Sequence, residues 1–217
     1  MSVMASTTEA ALREEICDIG LSLYQRGYVT GSTGNISARL KDGWLITPTD
    51  ACLGRLDPVR IAKVGLDGKW VSGDKPSKTL DMHRKIYENN PATNSVLHTH
   101  STHLVALTLA GVWSQEDIMP PITPYQVMKV GRIPLLAYRR PGSPEIADYL
   151  ASVATKVRGV MLDRLGPMIW ESSVSKASYA LEELEETARL WLMTEPKPAP
   201  LPQSALDELA AVFGARW

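Results

Sequence analysis

The dipeptide Asp42-Gly43 is the feature that most narrows the fold of this chain. It separates two short segments, Ile36–Leu40 and Trp44–Thr47, that carry strand-forming residues. Asp-Gly between two such runs is a strong hairpin signal, because it suits the tight turn whose twist matches two paired strands. A further hairpin-like segment spans Ala62–Val71. Helical signals surround these strands. Thr7 and Thr8 open a capped helix that continues to about Gln25, with apolar residues at Leu12, Ile16, Ile19 and Leu23. Other helices are predicted over Leu80–Asn89, Thr102–Ala110, Pro144 to about Val157 behind the cap Ser143, and Ser173–Met193. Short strands are predicted at Ser95–Leu97, Ile133–Ala137, Arg158–Leu162 and Pro167–Trp170. Early hairpins with flanking helices predict an α+β or α/β/α arrangement around one sheet.

Composition narrows the class of function. The chain has 217 residues, 44% hydrophobic and 22% charged, which suits one globular domain with a full core. Its formal net charge of -1 supplies no basic field for nucleic acid or membrane, so neither is an expected partner. An anionic ligand would have to be held by a local pocket. Two cysteines, Cys17 and Cys52, cannot form a disulfide framework, and Met1–Glu15 lacks the apolar segment of a signal peptide. A cytoplasmic location is expected. One domain over residues 1–195 is expected, followed over 196–217 by a Pro-rich linker and a short C-terminal helix. The glutamates at 182, 183, 185 and 186 fall largely on one face of the last long helix and read as a solvated face.

Three segments carry candidate chemistry. In Ser95–Leu104, His98 and His100 are two residues apart. On a strand they would aim two imidazoles at one point, half of a typical divalent-metal site, although core or surface histidines with ordinary hydrogen bonds give the same pattern. Gly31-Ser-Thr-Gly-Asn35 combines two glycines with small hydroxyls and an Asn, which suits either an anion-binding loop or a plain turn. Ser77-Lys78-Thr79 stands where a helix begins, which suits either a phosphate cradle or a simple cap with a solvated lysine.

Gly31–Ser37, Leu45–Thr49, Gly73–Ser77, His83, Val96–His103, Gly166–Trp170 and Ala180–Ala188 together resemble the class II aldolase family, which includes L-fuculose-phosphate aldolase and L-ribulose-phosphate epimerase. Leu53–Asp57, Ser72–Lys78 and Leu181–Thr187 are most similar to its 3-oxo-tetronate 4-phosphate decarboxylase branch. The resemblance implies a three-layer α/β/α fold with a central, mostly antiparallel sheet. It also implies a homotetramer with sites at subunit interfaces, and Zn2+ or another divalent metal. The implied substrate is a phosphorylated sugar acid, with the phosphate on Ser32, Asn35, Thr49, Ser77 and Lys78. His98 and His100 are implied metal ligands. Two positions depart from the family pattern: Thr79 replaces the usual acid/base carboxylate, and Leu165 replaces the usual third metal histidine. Asp163, two residues earlier and on the same face of a strand, is the expected substitute ligand, with His103 the other nearby donor. Lys78 and Tyr125 are the expected proton donors, with Thr79 at the acid/base position. The implied reaction is decarboxylation through a metal-stabilised enediolate. An aldolase, a pseudoenzyme or a metal-free relative with new chemistry are the alternatives.

Overall fold

The computed structural model describes residues 8–217. Thr7 lies outside the described residues, and Thr8 caps the first helix by accepting from the Ala11 N–H at 3.2 Å. The helices are α1 (Glu9–Gln25), α2 (Leu80–Asn89), α3 (Thr102–Ala110), α4 (Pro144–Val153), α5 (Val174–Met193) and α6 (Gln203–Phe213). The strands are β1 (Asn35–Arg39), β2 (Gly43–Ile46), β3 (Ala62–Gly65), β4 (Trp70–Ser72), β5 (Ser95–His98), β6 (Leu135–Leu136), β7 (Gly159–Leu162) and β8 (Gly166–Glu171).

They form one eight-stranded sheet in the order β4-β3-β2-β1-β5-β8-β7-β6. Every pairing is antiparallel except β6 with β7. Strand alternation sorts side chains between two helical layers. Ile36, Ala38, Leu45, Leu97 and Ile169 face α1, α3 and α5. Trp44, Ile46, Val96, Met168 and Trp170 face α2 and α4. The result is the expected three-layer α/β/α arrangement. Among the described residues, no helix is long and apolar enough to cross a membrane.

The first hairpin forms, but its glycine has a different task from the one expected. Lys41 and Asp42 make the turn, and Gly43 is already the first residue of β2. A Cβ there would lie 2.0 Å from the Val64 carbonyl oxygen, so the close approach of β3 demands glycine. The Pro-rich crossing after α3 contains a π-helical turn, Gln126–Val130, held by Gln126 donating to the Pro120 carbonyl and accepting from the Ile122 N–H. Strand β6 is shorter than predicted, and α4 ends at Val153. Residues 196–202 form no helix or strand, and α6 follows with no buried residue.

Candidate active site

The sheet brings the predicted anion-binding segments to one end of β1, β2 and β5. Asn35 stands opposite His98 in the β1–β5 ladder. Gly34 lies so close to β5 that a Cβ would be 2.9 Å from the His98 carbonyl oxygen, at a φ of +81°. Thr47 joins β1 beyond the end of β2: its N–H donates to the Ile36 carbonyl, and its Oγ1 accepts from the Ile36 N–H at 3.2 Å. The Ser77 N–H then donates to the Thr47 carbonyl, and the Thr49 N–H donates to the Lys75 carbonyl. The loops of Thr47–Asp50 and Lys75–Thr79 are thereby stitched together beside Asn35.

Within this cluster, Ser77 Oγ and Thr79 Oγ1 are 2.9 Å apart, and Ser77 Oγ also accepts from the Thr79 N–H. Thr79 stands at the N-cap position of α2, but its side chain makes no capping bond. The Lys78 ammonium pairs with Asp50 at 3.2 Å, with both side chains largely exposed. Such an exposed pair contributes little to stability. Ser32 is exposed at the tip of a turn closed by Thr33 Oγ1 donating to the Thr30 carbonyl.

His98 and His100 come together, although only His98 is on the strand. Their ring centroids are 5.0 Å apart in an edge-on arrangement. The loop that carries His100 lies against Gly166, where a Cβ would be 1.9 Å from the Thr99 carbonyl oxygen. His98 Nδ1 is 2.9 Å from the Pro167 carbonyl oxygen, an acceptor only, so Nδ1 carries the proton and Nε2 keeps its lone pair. Burial, then the neighbouring His100, pushes the His98 pKa down to about 4. Burial also lowers that of His100. Both rings are neutral near pH 7 and capable of donating a lone pair.

A third metal ligand does not join them. Among the described residues, no group of three His, Cys, Asp or Glu side chains could hold a metal ion. The expectation for Asp163 assumed that residues 163–165 continue a strand. They form instead the turn between β7 and β8, with Arg164 at a φ of +60°. Asp163 lines a small recess with Leu136, Arg139, Ile146 and Leu165. The other nearby histidine is also engaged: His103 Nδ1 is 2.8 Å from Glu185 Oε1. Two imidazoles beside the apolar Leu165 do not complete the donor set of a divalent-metal centre.

Tyr125 lies elsewhere on the same chain. It is 57% exposed and lines a recess of about 460 Å³ with Lys129, Arg158, Glu171, Lys176 and Glu183. Within one chain, neither histidine lines the Tyr125 recess.

Two buried groups have roles that the sequence does not announce. His83 is fully buried on the sheet-facing side of α2, with Nε2 2.5 Å from Asn35 Oδ1 and Nδ1 2.7 Å from Ser37 Oγ. Its spacing from Tyr87, one helical turn away, was the available signal. Glu185 is 6% exposed and departs from the solvated face on which it was placed. Its Oε1 accepts from the His103 N–H and its Oε2 from the Leu104 N–H, at 2.9 and 3.0 Å. These are orphan donors at the start of α3. The α3 cap residue, Ser101, makes no capping bond, because its hydroxyl is turned toward the Tyr28 carbonyl and Thr99 Oγ1. The carboxylate from α5 takes over that task directly behind the histidine loop.

The profile of the class II aldolase and adducin N-terminal domain matches residues 14–192. A 3-oxo-tetronate 4-phosphate decarboxylase of Cupriavidus necator is 65% identical over 216 residues, covering 97% of this chain and 100% of the relative. The Escherichia coli protein of that name is 46% identical over 191 residues, covering 88% of this chain and 90% of the relative. The crystal structure of YgbL from Escherichia coli superposes with a TM-score of 0.88 at 44% identity, covering 93% of this chain and 98% of that one. An L-fuculose 1-phosphate aldolase structure shares the fold at a TM-score of 0.82 and 23% identity, covering 99% of this chain and 100% of that one. With the layered sheet, the loop cluster and the matched profile agreeing over most of its length, the chain belongs to the class II aldolase and adducin N-terminal domain family.

Proposed function

We propose that this chain is a carbon–carbon lyase acting on a phosphorylated sugar acid, and that it removes CO₂ from a substrate of the 3-oxo-tetronate 4-phosphate type. The observation that carries this reading is the 65% identity to the Cupriavidus necator decarboxylase over nearly the whole chain. The loop cluster supports it. The substrate phosphate would be held by Ser32, Asn35, Thr49, Ser77 and Lys78. Hydroxyls and an ammonium provide the charge-assisted contacts that bind phosphate tightly.

The reaction breaks the bond between the carboxylate carbon and the neighbouring carbon. The electron pair moves to the ketone oxygen as CO₂ leaves, and a proton then adds to the carbon of the enediolate. The product is a phosphorylated three-carbon hydroxyketone. No base has to remove a C–H proton in the cleavage step. The hydroxyl of Thr79 at the family's carboxylate position therefore disfavours aldol cleavage and epimerisation more than decarboxylation. Lys78 lies beside the cradle and is the better placed of the proposed proton donors. Tyr125 would reach the cradle only from another subunit of a homotetramer, consistent with the exposure of Tyr125, Tyr138 and Tyr179. Zn2+ is the ion that the family resemblance suggests, but the donors present do not fit it, and no step here depends on it. Two free cysteines are consistent with a cytoplasmic setting.

A second reading is favoured by Thr79 and Leu165: a relative that binds the phosphorylated acid without turning it over. One experiment separates the two. The purified chain is mixed with 3-oxo-tetronate 4-phosphate, with and without chelator, while binding and CO₂ are followed. Catalytic CO₂ release supports the lyase; saturable binding with no CO₂ above the uncatalysed rate supports the second reading.

A further inference from the structure

We propose that His83 is a positioning residue that fixes the Asn35 carboxamide with its oxygen turned inward and its two N–H donors turned toward the anion cradle. This rests on the cradle reading above. Asn35, Ser37, His83 and Tyr87 are 5%, 1%, 0% and 2% exposed, so the atoms they turn inward depend on one another for hydrogen bonds. His83 Nε2 lies 2.5 Å from Asn35 Oδ1, His83 Nδ1 lies 2.7 Å from Ser37 Oγ, and Ser37 Oγ lies 2.7 Å from the Tyr87 hydroxyl.

Only one direction of donation satisfies every proton. A carboxamide oxygen accepts and cannot donate, so His83 Nε2 carries the hydrogen. Nδ1 of the neutral ring then accepts from the Ser37 hydroxyl, which in turn accepts from Tyr87. The reverse direction would need the Asn35 nitrogen at the imidazole. It would also send the Ser37 proton to the tyrosine oxygen and strand the Tyr87 proton with no acceptor among the described residues. Burial keeps the ring neutral, with its pKa pushed down to about 3, as the chain requires.

With its oxygen committed to His83, Asn35 offers only N–H donors to anything in the loop cluster. No hydrogen bond from Asn35 Nδ2 forms among the described residues, and Nδ2 is not among the buried atoms left without a partner. Position 35 therefore selects for an acceptor, such as a phosphate or carboxylate oxygen, and against a hydroxyl that must donate. The selection is set by α2, on the sheet face that Asn35 and Ser37 share.

Two measurements test this. In the chain with ¹⁵N-labelled histidine, NMR is expected to show His83 neutral and protonated at Nε2 between about pH 6 and 9. An Nδ1-protonated or charged ring would overturn the orientation of Asn35, whether or not the protein is active. Phosphoglycolate affinity is the second readout, by calorimetry. His83→Leu is expected to weaken it about tenfold. His83→Gln, which keeps an acceptor and a donor on either side of one carbon as the imidazole does, is expected to stay within about threefold of the parent. Equal affinity in the Leu variant and the parent would overturn the positioning role, as would equal loss in both variants. If the Leu variant does not fold, the tautomer and the Gln variant still decide the matter. A parent that fails to bind phosphoglycolate, with the Nε2–H tautomer intact, would overturn the cradle reading and the selection by Asn35 with it.

Discussion

Replacing Glu185 by alanine is expected to be among the most damaging single changes outside the apolar core. The carboxylate accepts three hydrogen bonds, from the His103 N–H at 2.9 Å, the Leu104 N–H at 3.0 Å and His103 Nδ1 at 2.8 Å. Leu104 is fully buried, so its N–H has no solvent to turn to. An orphaned buried donor costs about 1–3 kcal/mol, and a capping side chain contributes about 0.5–2 kcal/mol. A negative charge at a helix N-terminus adds up to about 2 kcal/mol in partly buried settings. These effects overlap, and about 3 kcal/mol is expected for Glu185→Ala. Glu185→Gln should lose roughly half as much, since it keeps one oxygen but turns an NH₂ group toward a backbone or imidazole N–H. Urea unfolding of parent, Ala and Gln variants measures this. With a slope of about 2–3 kcal/mol/M, the midpoint should fall by about 1 M in the Ala variant. Glu186→Ala, one residue along on the exposed side of α5, is the control and should change stability by less than about 0.5 kcal/mol. Equal midpoints for Glu185→Ala and Glu186→Ala would mean that the carboxylate does not hold the start of α3.

Three further outcomes are expected. Asp117 is 3% exposed, with Oδ2 unpartnered, and burial pushes its pKa up to about 7. Its folded-state pKa lies above the unfolded value, so its contribution to stability is complete below about pH 4 and is lost as pH rises through about 7. The stability of the parent should fall relative to Asp117→Asn over that window and run parallel above it; parallel curves throughout would contradict this. Leu165→His should create zinc binding that the parent lacks, read by elemental analysis after dialysis, because it adds a third imidazole beside the Gly166 contact with the His100 loop. Equal zinc in both proteins would contradict the account of an incomplete donor set. Ser77→Ala and Lys78→Ala should each weaken phosphate-ester binding by roughly 1–2 kcal/mol, or about tenfold, in calorimetry. Unchanged affinity in both would remove the phosphate assignment.

The layered fold was legible because strand and helix periods differ and because its turns are marked. Alternation in Trp44-Leu45-Ile46 and in Met168-Ile169-Trp170 assigns each residue to one helical layer, and the structure sorts them that way. The cradle segments were legible as small, hydroxyl-rich loops, but their convergence was not. It depends on ladder register, Asn35 against His98, which no local pattern encodes. Asp163 was misplaced because a strand was extended through a turn that Arg164 closes with a positive φ. Glu185 was misread because helical periodicity gives the face of a residue and not what packs on it. On α5 a carboxylate at the edge of the apolar stripe meets the start of α3, which Ser101 leaves uncapped. His83 is legible as a residue of the family resemblance, but its bonds are not, since its partners lie on β1, 46 and 48 residues away.

Decarboxylation of a phosphorylated 3-oxo acid is the reaction proposed for this chain. Its most direct test is ¹³C NMR of 3-oxo-tetronate 4-phosphate labelled at the carboxylate and incubated with catalytic amounts of the purified protein. The carboxylate signal should disappear over many turnovers, with equal growth of labelled CO₂ and bicarbonate and of the phosphorylated hydroxyketone. Persistence of the carboxylate signal at the uncatalysed rate, while the acid is visibly bound, would contradict it.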